Sequence, residues 1–326
     1  MRPFILKLAV LYMIIFCILS VLKRLQDIPR NRKIAAGVEK NLVKWKGLQE
    51  RSDANVLFFG SSRMYNAIHP VKFDSLTGSR SYNMGTGSQS IAETYSYMRE
   101  ALESNGNVKW VVVDLYERSF IVTDFMHLTQ NARYLGTRNR WELYFNSGLP
   151  RNLMNMAFPM LADVGYINID IREAFKKETV ETGVQGKELW ISGYNTSEVN
   201  DTAGLKTIED KSRAFLSRKE IELKQDRLRM IDRIVRLCSE RGVRLIFTSI
   251  PKSNIVDETE VSFFRNILSG YEEAGYFSEF PPLTNRDIRS DGFHLNNSGA
   301  EKCTRALAGF METAIRDSMR VDAGHQ

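Results

Sequence analysis

Four short apolar runs, set between longer stretches of helical spacing, constrain this chain more than any other feature. They are Asn55–Gly60 (NVLFFG), Ser81–Gly85 (SYNMG), Val108–Leu115 (VKWVVVDL) and Val243–Pro251 (VRLIFTSIP). Near-continuous apolar runs suit strands of a parallel sheet that is buried on both faces. Between and after them, Ser90–Ser104, Ser217–Arg241, Glu258–Ala274 and Ser298–Met319 read as helices. Strand and helix alternate, so the expected fold is α/β: a three-layer α/β/α doubly wound parallel sheet.

Two regions fall outside that rhythm. Residues Pro3 to Leu22 form an apolar run interrupted only by Lys7, close to the roughly 20 residues that cross a bilayer as helix. No small-x-small cleavage site follows it, so an uncleaved N-terminal transmembrane helix is expected. With the polar spacer behind it, this anchor occupies residues 1–50, and the α/β domain occupies 51–326. The second region runs from about 116 to 211 and carries aromatic and Asn-rich sequence with no clear strand-helix unit. It is too long for a structureless loop. An insertion at the carboxyl edge of the sheet is expected, serving as a lid or substrate-binding piece or as a stabilising helical decoration.

The net charge of +6 invites a nucleic-acid reading until its location is considered. Lys23 to Arg51 hold nine Lys/Arg against three Asp/Glu, and Arg2 and Lys7 add two more, which leaves −2 for residues 52–326. A nearly neutral domain needs no phosphate partner, and no nucleic acid is expected. The three cysteines show neither CxxC nor zinc spacing, and the histidines outside residues 291–302 lack partners at ligand spacing, so no metal is expected.

Chemistry concentrates at two places. In DGFHLNNSGAEK, Asp291 to Lys302, a carboxylate stands three residues before an imidazole, just ahead of a helix. Asp291 can accept the Nδ1 proton of His294, fix its tautomer and leave Nε2 outward as a base. A nucleophile is then needed, and Gly60-Ser61-Ser62 releases two serines where the first strand meets a helix. Ser62 is the choice and Ser61 its rival. Each half has a bland alternative, since Asp-x-x-His is a common surface pair and Ser-Ser a common helix cap.

Taken together, Gly60-Ser61-Ser62 after the first strand and Asp291-x-x-His294 near the end resemble the SGNH (GDSL-like) hydrolases. The resemblance implies Ser62 as nucleophile, His294 as general base and acid, and Asp291 as its orienter. It also implies an oxyanion hole built from the backbone N–H groups of Ser62 and Gly85, the glycine of the second family block. Two departures stand out. Ser61 replaces an Asp outside the triad, and Asp114, with no Asn nearby, stands where the third block has an oxyanion-hole Asn; an ionised carboxylate cannot donate. Asn66 and Arg63 are the nearby donors that remain.

The resemblance further implies ester hydrolysis or acyl transfer on an acylated envelope polysaccharide or glycolipid, with no cofactor. Five Lys/Arg follow the apolar run within a few residues and two precede or interrupt it, which by the positive-inside rule places the domain in the cytoplasm. Anchored relatives of this kind work outside, and an extracytoplasmic domain is the expectation. A membrane-bound acyltransferase is a possible partner. The alternative function is a non-catalytic, glycan-binding accessory to such an acyltransferase.

Overall fold

The computed structural model describes residues 43–116, 119–120, 135–146, 190–191, 194–195, 225–251, 258–289 and 294–323, with positions 10, 12–14 and 17 of the first apolar run. In chain order the strands are β1 (Val56–Phe59), β2 (Ser81–Asn83), β3 (Trp110–Asp114), β4 (Trp190–Ile191), β5 (Tyr194–Asn195), β6 (Arg244–Thr248) and β7 (Ala274–Phe277). The helices are α1 (43–50), α2 (Ser62–Ala67), α3 (Pro70–Thr77), α4 (Ile91–Ser104), α5 (Thr137–Asn146), α6 (Gln225–Glu240), α7 (Glu258–Leu268) and α8 (Asn297–Ala323).

Five strands form one all-parallel sheet in the order β2-β1-β3-β6-β7. Successive side chains leave a strand on opposite faces, and both faces here are apolar. Leu57, Phe59, Val111, Val113, Leu245 and Phe247 enter the core that includes residues of α4, α6 and α7. Val56, Phe58, Trp110, Val112 and Ile246 enter the other, with residues of α2, α3 and α8. That explains the unbroken apolar runs: no residue of β1 or β3 faces water. The order reverses around β1, so the carboxyl ends of β1 and β3 flank a crevice of the kind where open α/β sheets place their sites.

Local sequence sets the element ends. Ser90 and Glu93 cap α4 reciprocally, the Ser90 N–H donating to Glu93 Oε2 at 2.7 Å. The last predicted helix is found as α8. The helix expected over Glu258–Ala274 instead stops at Leu268, and Ala274–Phe277 becomes β7. As an edge strand, half-exposed and holding Gly275, β7 lacks the two-sided apolar signature.

The N-terminal segment expected to end at residue 50 shares its last turns with the domain. Trp45 and Leu48 of α1 lie in the same core as Leu57 and Tyr97, and Trp45 meets the Tyr97 ring edge-on at 5.6 Å. A boundary at 50/51 would strip both from the core, so the packed unit begins no later than Val43. Most of the apolar run 3–22 lies outside the described residues, and among the described residues no helix is long and apolar enough to cross a membrane.

Of the stretch expected as an insertion, Phe120 is buried in the core against Phe264, and two further described parts go to other elements. α5 packs on α4, where Glu142 pairs with Arg99 and Asn139 Nδ2 donates to Glu100 Oε2 at 2.6 Å. β4 and β5 form a short antiparallel pair, and β5 approaches α2.

Candidate active site

At the carboxyl end of β1 the chain must turn sharply from strand into helix. Gly60 makes the turn with φ +149°, a region side chains avoid, and a Cβ there would stand 2.8 Å from Asp114 Cβ. Ser61 then caps α2, its hydroxyl accepting the Arg63 N–H at 3.2 Å, and is itself buried. Ser62, the first residue of α2, is half-exposed. Its backbone N–H, at the first helical position, has no acceptor within the helix.

His294 Nε2 lies 2.8 Å from Ser62 Oγ, although the two residues are 232 apart in sequence. For the hydroxyl to donate, Nε2 must be the bare nitrogen and Nδ1 must carry the proton. Asp291, assigned to that proton from the sequence, lies outside the described residues. Of the two serines, Ser62 meets the imidazole and Ser61 is committed to the helix cap.

The turn that presents His294 is braced by a residue that sequence reasoning passed over. Asp287, 1% exposed, accepts from Thr284 N (2.8 Å) and Thr284 Oγ1 (2.9 Å), from Ser298 Oγ (2.8 Å) and from Lys302 Nζ (2.7 Å). Burial alone would raise its carboxyl, but these donors outweigh burial and hold it at about 2. Ile288 and Leu295 form an antiparallel bridge, and Arg289 N donates to the His294 carbonyl at 2.8 Å. Asn296 caps α8, accepting from Ser298 N and Gly299 N. Gly299 is required there, because a Cβ would fall 2.3 Å from the Asp287 carbonyl oxygen. The sequence signal was Thr284-x-x-Asp287, a capping-box spacing.

Behind the serine, Arg63 turns into the protein. Its guanidinium lies 3.2 Å from Glu260 Oε1 and 3.5 Å from Asp114 Oδ1, donates to the Ile250 carbonyl, and sits 5.1 Å from the centre of the Tyr116 ring. Asp114 in turn accepts the Ile250 N–H at 3.0 Å. Burial opposes the charge on Arg63, and the carboxylates of Asp114 and Glu260 more than restore it. The residue that departs from the third family block is therefore an acceptor serving this cluster, and Arg63 is directed away from the hydroxyl.

Gly85 packs against the serine turn, since a Cβ on it would lie 3.1 Å from the Ser61 carbonyl oxygen. Its N–H, expected as an oxyanion donor, donates instead to Asn83 Oδ1 at 3.0 Å. Asn83 Nδ2 holds the Met64 and Ile68 carbonyls at the end of α2. Asn66, the other nearby donor, gives its amide to the Ser62 carbonyl at 2.6 Å. Cys238 and Cys303 are buried, which pushes both thiols up to about 12, too high for a working thiolate. Among the described residues no group of three His, Cys, Asp or Glu is arranged to hold a metal ion.

No family profile matches the chain, and no curated protein matches it in sequence. Solved structures similar to it include a protein provisionally named a platelet activating factor from Streptococcus pneumonia, at 10% identity over 86% of this chain and 95% of that one, TM-score 0.42. A provisionally named acylhydrolase from Bacteroides fragilis follows at 12% identity over 85% and 98%, TM-score 0.39. An acetyl xylan esterase from the rumen bacterium Butyrivibrio proteoclasticus aligns at 8% identity over 80% and 64%, TM-score 0.35. At such scores the likeness is too loose to transfer an activity, which has to be argued from the residues.

Proposed function

We propose that this protein is a serine ester hydrolase or O-acyltransferase of SGNH type, working on an acylated polysaccharide or glycolipid of the cell envelope. The observation that carries the reading is the 2.8 Å contact between a serine at a strand-to-helix turn and an imidazole from the far end of the chain. A hydroxyl there is poorly nucleophilic until a base takes its proton.

In the proposed mechanism His294 Nε2 accepts the Ser62 proton as Oγ bonds to the ester carbonyl carbon. The oxyanion of the tetrahedral intermediate turns toward the Ser62 N–H at the start of α2. Collapse breaks the bond to the leaving alcohol, which takes the proton from His294 and leaves an acyl-Ser62. Water or a sugar hydroxyl then attacks, His294 takes its proton, and Ser62 regains a hydrogen as the acyl group departs. Asp291 is assigned the Nδ1–H throughout, and the Gly85 N–H, held in place by Asn83 Oδ1, is shared with the oxyanion as a second donor.

The apolar run 3–22 is assigned as a membrane anchor and the domain to the outer side, which fits an envelope substrate. A second reading, a glycan-binding accessory to a membrane acyltransferase, is favoured by the Gly85 N–H being engaged by Asn83. Turnover of a short-chain aryl acetate by the full chain in detergent separates the two. The enzyme reading expects hydrolysis that falls at least about 10³-fold in Ser62→Ala with the melting temperature nearly unchanged. Turnover equal in wild type and Ser62→Ala would leave only the accessory reading.

A further inference from the structure

Lysine is almost never fully buried, because an ammonium taken from water must recover its hydration from the protein. Lys44 is 2% exposed. It stands on α1, beside Trp45, in the stretch that reads from sequence as a polar spacer before the domain. Its Nζ donates to the Gly85 carbonyl and, at 3.3 Å, to the Asn83 carbonyl, and lies 4.9 Å from the centre of the Tyr65 ring. Tyr65 is one turn beyond Ser62 on α2. Burial lowers the Lys44 pKa well below its usual value, because the charged form is costly there. An apolar side chain of similar length would fill the space without that cost.

What the Lys44 Nζ touches is the wall of the serine site. Both backbone groups of Gly85 are tied, its N–H to Asn83 Oδ1 and its carbonyl to Lys44, and the next N–H, of Thr86, donates to the Gly60 carbonyl at 3.0 Å. Residues 83–86 are thus fastened to the serine turn on one side and to α1 on the other. Oxyanion stabilisation depends on dipoles whose orientation is fixed before reaction, in surroundings poor in water.

We propose that Lys44 is a positioning residue for the Ser62–His294 site: its Nζ, donating to the Asn83 and Gly85 carbonyls, locks the Gly85 turn against the serine turn, so that α1 completes the site. The role rests on the reading of Ser62 as an acyl-transfer nucleophile. It makes the stretch joining the apolar run to the sheet a part of the machinery rather than a tether.

The test compares full-length wild type, Lys44→Met, Lys44→Gln and Lys44→Arg in detergent, by aryl acetate turnover and thermal melting. Lys44→Met is expected to lower kcat about 30- to 100-fold with KM within about twofold, because the group acts on the transition state rather than on binding. Its melting temperature should match or exceed the wild type, since an apolar replacement sheds the burden of a buried charge. Lys44→Gln, which still donates but carries no charge, should fall between, and Lys44→Arg should recover most of kcat. Wild-type kcat in a folded Lys44→Met overturns the proposal. Loss of the fold in both Lys44→Met and Lys44→Gln also overturns it, because the residue would then be structural. A wild type no faster than Ser62→Ala removes the acyl-transfer reading and the Lys44 role with it, whereas an active wild type with an equally active Lys44→Met removes only Lys44.

Discussion

The two turns that meet at the Ser62–His294 contact are held in different ways. The serine turn is fixed from inside: Arg63, Asp114 and Glu260 are all buried, and the cluster joins the ends of β1, β3 and β6 to the start of α7. The histidine turn is fixed at the rim: Asp287 is buried, but the Lys302 ammonium it holds is half-exposed. Arg63 keeps its charge at any working pH, whereas the Asp287 carboxylate must stay ionised to accept its four donors. Ser62 is therefore set by the sheet, and His294 is brought to it by a turn that acid can loosen.

The sharpest way to break this contrast is Arg63→Met. It leaves Asp114 and Glu260 buried without their cation, and should cost about 3–5 kcal/mol in urea unfolding. A cost under about 1 kcal/mol would mean that buried charge does not hold the serine turn.

Asp287→Asn probes the other side and should cost about 2 kcal/mol at pH 7, the equivalent of holding the carboxyl at about 2 rather than 3.8. A group depressed on folding stabilises above its unfolded pKa, so the wild type should lose this contribution as pH falls from about 4 toward 2. The variant should lack that dependence, and the two unfolding curves should converge in acid. Parallel pH profiles would deny Asp287 its bracing role.

Ser61→Ala should have the smallest effect, about 1 kcal/mol for a lost helix cap, with aryl acetate turnover within a few-fold of wild type. It sharpens the comparison within one turn, because neighbouring serines then separate into a cap and a nucleophile.

How much of this was legible in the sequence follows from where each residue's partners lie. β1, β3 and β6 were legible because burial on both faces leaves an apolar run in the chain itself. β7 was not, since a half-exposed edge strand with Gly275 carries no such run. Ser62 and His294 could be singled out because each sits at an element boundary with a recognisable local pattern. Lys44 could not: a lysine beside Trp45 reads as the wet side of a helix, and only the carbonyls of Asn83 and Gly85, some 40 residues on, explain it. Asp114 read as a missing oxyanion donor, and its real partners, Arg63 and the Ile250 N–H, are again distant in sequence. Gly85 was expected as an oxyanion donor; it packs against the serine turn, and the capture of its N–H by Asn83 is a side-chain choice that a family resemblance does not encode.

The most direct test of Ser62 as a nucleophile activated by His294 is to label the full chain with a fluorophosphonate and map the adduct by peptide mass. The account predicts one adduct, on Ser62, absent in Ser62→Ala and formed at least about 10³-fold more slowly in His294→Ala. An adduct on Ser61, or labelling of His294→Ala at the wild-type rate, would contradict it.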